Sequence, residues 1–267
     1  MTVQSPQRFK SALSVILAIL LWNPDVAQAA EEQTPMEMPD INQLDAGVNG
    51  RMDCGPAAAA NYLYWLSSHG YPAVVKKGQD SKSKILLELE QLMQADSTGT
   101  GVANFSGGLS AFLYSKGYKI RSLECLGWRR GANQIPPNLN TLKKTIDQGG
   151  GVFLNFGWYR TGTGDRYLRT GGHWVTLAGF AIDEQNPGSS NVFVVYDPSP
   201  RSGSQPKRET FQLTGLTSGT LITNKNEVTL PAKHYLHYTK LQNTWKIPAS
   251  ADVAILDAAV CVLPEKL

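Results

Sequence analysis

The sequence predicts an α+β fold, with a helical N-terminal half and a C-terminal antiparallel sheet. Apolar residues recur at helical spacing in the first half. From residue 152 onward they fall into short runs bounded by turn residues, the pattern of strands. Glycine and proline number 25 and 15 in 267 residues, which points to many turns. Helices first and strands later is the arrangement in which an antiparallel sheet packs on a helical part.

The chain opens with an export pattern. Arg8 and Lys10 form a basic start, and residues 11–22 are an apolar run of signal-peptide length. That run is too short to span a bilayer comfortably. Ala27-Gln28-Ala29 fits a small-residue cleavage site, so residues 1–29 read as a signal peptide cut near Ala29. Residues 30–44 contain Pro35 and Pro39 without any period and read as a flexible leader. Residues 45–267 are long enough for one domain with a sizeable core. No later stretch predicts a membrane helix, so no stable membrane insertion is expected. A net charge of +3 gives no ground for a nucleic-acid partner. A monomer is expected.

Export implies an oxidising compartment. There are three cysteines, Cys54, Cys125 and Cys261, and an odd count leaves at least one thiol unpaired in a monomer. If Cys54 is the free one, Cys125 and Cys261 are left to bridge. The other pairings stay open.

The first helix is expected over 54–68. Asp53 suits an N-cap, Pro56 is tolerated in a first turn, and alanines 57–60 are strong helix formers. Gly70 and Pro72 end it. A second helix fits 83–94, with Ile85, Leu86, Leu89, Leu92 and Met93 on one face. Residues 97–108 read as a loop, 109–116 as a third helix and 119–126 as a strand. Asn140 is the expected cap of a short helix carrying Leu142 and Ile146. Strands follow at 152–158, 174–182 and 191–196, with a glycine- and arginine-rich loop at 160–172. Further strands fit 209–213, 220–222, 227–230 and 235–241. Residues 253–263 fit either strand or helix.

Cys54 stands at the positive end of the first helix dipole, which favours the nucleophilic thiolate. A cysteine nucleophile needs a base and a group that holds the base. His69 ends the same helix, too far from Cys54 to help. His234 and His237 sit three apart in an expected strand, on opposite faces, and do not suit a shared metal. His173 differs. It follows Gly171-Gly172 at the mouth of the strand Trp174-Val175-Thr176-Leu177. Asp197 closes the neighbouring strand before Pro198. If the two strands pair as a hairpin, Asp197 ends the second where His173 begins the first. Taken singly, each has a plainer reading: a buried cysteine, a structural histidine, a turn-forming aspartate. Arg160, Arg166 and Arg169 lead to His173 and form either a basic rim for acidic substrate or a solvated loop. Trp174 and Arg169 are candidate substrate contacts.

The stretches DCGPAAAANYLYWL, GGHWVTLAGF and VVYDPS, in that order, resemble the papain-like cysteine peptidases. The closest branch is the stand-alone exported relatives of the bacteriocin-leader (double-glycine) peptidases. The resemblance implies a papain-like α+β fold, with Cys54 as nucleophile, His173 as general base and acid, and Asp197 orienting His173. It implies a peptide or protein substrate and no metal or organic cofactor. One departure stands out. The family carries a glutamine about six residues before the cysteine, to help hold the oxyanion. Here that position is Val48. Asn49 is the preferred substitute donor and Gln43 the alternative. Two other functions remain compatible with the same residues. One is acyl transfer of the transglutaminase or peptide-ligase type. The other is an inactive secreted binding protein.

Overall fold

The structure is a computed structural model that describes residue 1 and residues 35–45, 50–181, 192–199, 208–223, 228–238, 245 and 247–266. By contacts the chain divides into Met1–Glu31 and Glu32–Leu267, and every element described belongs to the second. The expected signal peptide, residues 1–29, lies outside the described residues apart from Met1. Among the described residues the architecture is mixed α+β, with four α-helices and one nine-stranded sheet. None of these helices is long and apolar enough to cross a membrane.

Helix α1 (Cys54–Ser68) follows the alanine run and is buried on nearly every side from Cys54 to Leu63. A helix apolar all round belongs in a core. Gly70, at φ +95°, takes the left-handed turn that ends it. Asp53 departs from expectation. Its carboxylate makes no capping bond to the helix. The chain instead enters through a 3-10 turn, Gly50–Met52, and the Asp53 backbone carbonyl accepts from the Ala57 N–H at 3.0 Å.

Helix α2 (Lys82–Leu92) is capped by Ser81, and α3 (Val102–Ser115) packs beside it. Much of the expected 97–108 loop is therefore helix. Gly107 and Gly108 suggested a turn, but they lie inside α3. A Cβ on Gly108 would come within 2.6 Å of the Met93 backbone nitrogen, so this glycine permits close helix packing. Helix α4 (Leu139–Asp147) is capped by Asn138, not Asn140: its side-chain oxygen accepts from the Thr141 N–H.

The strands are β1 (Tyr118–Gly127), β2 (Gly151–Gly162), β3 (Arg166–Ala181), β4 (Val192–Tyr196), β5 (Arg208–Gly215), β6 (Thr220–Ile222), β7 (Thr229–Pro231), β8 (Leu236–Tyr238) and β9 (Val253–Lys266). The expected loop at 160–172 is the outer half of the β2–β3 hairpin, turning at 163–165. Polar residues dominate there, so the apolar alternation that marks a strand is missing. Residues 253–263 are strand. This run reads as continuously apolar because β9 is buried between β1, β2 and β8. Pairings β2–β3, β3–β4, β4–β5, β5–β8, β8–β9 and β9–β2 close six strands into a ring. A closed ring has no exposed edge within it.

The sheet register separates two cysteines that the sequence left able to bridge. Cys261 stands opposite Glu124, so neighbouring Cys125 points to the other face. Cys125 reaches Ser106 of α3, whereas Cys261 reaches Thr145 of α4. All three cysteines are free.

The expected flexible leader at 30–44 is corrected over its described part. Met36, Met38, Ile41 and Gln43 are buried. The Met36 N–H donates to the Ala178 carbonyl at 2.9 Å. The Asn61 side chain on α1 pairs with the Ile41 backbone, accepting at 2.6 Å and donating at 3.3 Å. This segment is bonded between α1 and β3 without secondary structure of its own, which is why no period marks it.

Candidate active site

Three contacts hold α1 and α3 against β3. Thr176 on β3 donates its hydroxyl to the Ala58 carbonyl on α1 at 2.6 Å. Trp174 donates its indole N–H to the Thr100 carbonyl at 2.8 Å and stacks on Phe105 of α3. Gly55 leaves room for Thr100, whose side chain would lie 3.0 Å from an added Cβ. Cys54 is thereby brought beside His173, and the two line a cleft of about 400 Å³.

His173 is buried, with Nε2 2.7 Å from Asp197 Oδ1 and 3.0 Å from Ser199 Oγ. The expected hairpin is present: β3 and β4 are antiparallel, and Thr176 stands opposite Tyr196, the residue before Asp197. The Asp197 carboxylate is itself held. Oδ1 accepts from the Ser199 N–H at 2.8 Å, and Oδ2 accepts from the Trp245 indole N–H at 2.8 Å. Trp158 lies nearly parallel to the His173 ring at 6.1 Å, and Trp245 lies at 6.5 Å. Trp245 joins the aromatic cluster of Phe156, Phe211 and Tyr238. These rings keep water from the imidazole–carboxylate pair.

Burial opposes charge on His173, but the Asp197 carboxylate, bonded to the ring, and to a lesser degree neighbouring Cys54 outweigh it, and the imidazole pKa is pushed up to about 10. Burial works against ionisation of Asp197 too. The His173 charge and the bonds to His173 and Ser199 prevail and hold the carboxyl far below its usual range. The pair is therefore imidazolium and carboxylate at neutral pH. Cys54 lines the same cleft and adds to the upward shift of this histidine. With Nε2 committed to Asp197, Nδ1 is the nitrogen left for the thiol.

The remaining candidates divide. Gln43 is buried, and its backbone N–H donates to the Pro198 carbonyl at 2.9 Å, beside Asp197. Asn49 lies outside the described residues. Trp174 is almost wholly buried and serves the α3 contact, although its edge borders the cleft. Arg169 lines the cleft, while its Nε donates to the fully buried Asp257 at 2.6 Å. Arg160 turns away and donates to the Ser250 carbonyl. His234 lies outside β8, whereas His237 lies within it and faces Ile255 and Thr214 across the sheet. Among the described residues no group of three His, Cys, Asp or Glu is placed to hold a metal ion.

Sequence reasoning missed Trp245, Trp158, and the pair Arg129 and Arg130, which also line the cleft. Ser199 was in view as the residue after Asp197-Pro198, without a role. A comparison with protein-family models matches none of them, and a comparison with curated protein sequences finds no match.

Proposed function

We propose that the chain is an exported papain-like cysteine peptidase that hydrolyses peptide bonds through Cys54, His173 and Asp197. The observation that carries this reading is one histidine bonded to a buried aspartate, with a helix-start cysteine lining the same cleft. That is the nucleophile, base and orienting group of a triad, which is recognised by geometry and roles.

Cys54 Sγ attacks the carbonyl carbon of the scissile bond, and the carbonyl oxygen becomes the oxyanion. His173 donates its proton to the departing amine as the C–N bond breaks. Water then attacks the thioester, His173 takes its proton, and the C–S bond breaks to release the carboxylic acid. The Cys54 backbone N–H, in the first turn of α1, has no intrahelical partner and suits the oxyanion. Gln43 is the better candidate for the second donor, because its backbone is bonded at Pro198 and its side chain is buried there. No metal or cofactor takes part in this scheme. Export rests on the residues that precede Ala29.

Digestion of an unfolded protein substrate, read by mass spectrometry, tests the proposal. Wild type should generate new termini, and Cys54→Ala and His173→Ala should not. Cleavage that survives Cys54→Ala would refute it. Acyl transfer is separated by adding an amine: amine-capped products would argue for transfer over hydrolysis.

A further inference from the structure

One wall of the cleft is basic in a way the proposed chemistry does not use. Arg129, Arg130 and Arg169 line it, and among the described residues no aspartate or glutamate does. Arg169 is neutralised by Asp257. Asp257 is fully buried and already accepts from Trp128 Nε1 at 2.9 Å, from the Tyr159 hydroxyl and from Arg169. Its oxygens are taken. Arg129 and Arg130 meet no carboxylate among the described residues. Asp96, two residues before Thr98 of the cleft lining, is turned onto the Thr98 N–H and hydroxyl.

The arginine pair is fixed in place. Trp128 anchors it through Asp257, and the Arg129 guanidinium lies 5.1 Å from the Trp128 ring. Gly131, at φ +96°, presses on the first turn of α3, where an added Cβ would come within 2.6 Å of the Ala103 nitrogen. Burial first, and then neighbouring Arg169, disfavour charge on Arg129 and outweigh the pull of Asp257 and Tyr159, so the position gains from a further negative partner. The positive end of the α3 dipole faces the same wall, because Gly101 and Val102 line it. A guanidinium matches a carboxylate with two parallel N–H donors.

Building on the peptidase reading, we propose that Arg129, with Arg130, is a specificity-determining site for an acidic side chain close to the scissile bond. The substrate class is therefore peptides with aspartate or glutamate beside the cleaved bond.

Two measurements on the full chain test it. In matched peptides that carry Glu or Gln at each position around the cleaved bond, wild type should favour Glu at one position by at least about tenfold in kcat/KM. That ratio should fall toward one in Arg129→Gln and recover in Arg129→Lys. Arg130→Gln, an exposed change that spares the Trp128 contact, should lower it partially. The second measurement needs no peptidase activity. Cys54 is alkylated with anionic iodoacetate and with neutral iodoacetamide. The rate ratio should favour iodoacetate in wild type and drop in Arg129→Gln. If neither peptide is cleaved but the alkylation ratio behaves so, the anion site stands and the peptidase reading fails. If peptides are cleaved without a Glu preference, the substrate assignment is overturned. If the alkylation ratio also ignores Arg129, the anion site is overturned with it.

Discussion

Thr176 donates its hydroxyl to the Ala58 carbonyl at 2.6 Å, which ties the strand that carries His173 to the helix that carries Cys54. Both residues are fully buried. Thr176→Val keeps the shape and removes the donor. Stability should fall by about 1 kcal/mol, the usual net worth of such a bond. Activity should fall further than this loss of folded protein explains, because the bond sets how Cys54 meets His173. Urea unfolding together with kcat/KM of the folded fraction would read the two effects separately.

The His173–Asp197 pair fixes a pH dependence. The His173 pKa is raised from 6.5 to about 10, so its linked stability is fully present below 6.5 and is lost as pH rises through about 10. The Asp197 pKa is lowered from 3.8, so its contribution is present above 3.8 and is lost as pH falls through the lower folded value. The kcat/KM profile should hold beyond pH 8 and decline through about pH 10 as His173 loses its proton. Asp197→Asn should move that alkaline limb down by about one to three pH units.

Asp257 is a buried carboxylate with three donors on it. Asp257→Asn leaves Arg169 without its counter-charge in a half-buried setting. Breaking such a pair costs about 3–5 kcal/mol. Thermal unfolding should show the loss, because the carboxamide keeps one acceptor oxygen where three donors converge.

The two sheet-bound cysteines should stay reduced even in an oxidising compartment. Cys125 and Cys261 point to opposite faces of adjacent strands. Blocking thiols in denaturant without reductant, followed by intact-mass measurement, should count three alkylations. A count of one, with Cys125 and Cys261 mapped as the bridged pair, would contradict the β1–β9 register.

Cys54, His173 and Asp197 were legible because each sits on a strong local signal. These are an alanine-rich helix start, a Gly-Gly strand entry, and an aspartate before proline. The hairpin that joins the last two is also local. What surrounds them depends on distant parts of the chain. Trp245 meets Asp197 across 48 residues, and Trp128 is held by Asp257 across 129. No periodicity marks such contacts, so Trp245 and the Arg129–Arg130 wall were invisible beforehand. The partly buried segment 35–45 was hidden for another reason. Its long-range backbone bonds go to scattered partners, Ala178, Tyr196, Asn61 and Pro198, so it carries no regular pattern. Ring closure through β9 likewise depends on pairing between β2 and β9, about a hundred residues apart, which local propensity does not encode.

The central claim is that Cys54 carries the acyl group of the substrate during peptide cleavage. Acid-quenched intact-mass analysis of the protein incubated with a peptide substrate tests it most directly. The account predicts a transient adduct equal to the N-terminal half of the cleaved peptide, mapped to Cys54 and absent in His173→Ala. Turnover with no adduct, with an adduct on another residue, or persisting in Cys54→Ala would contradict it.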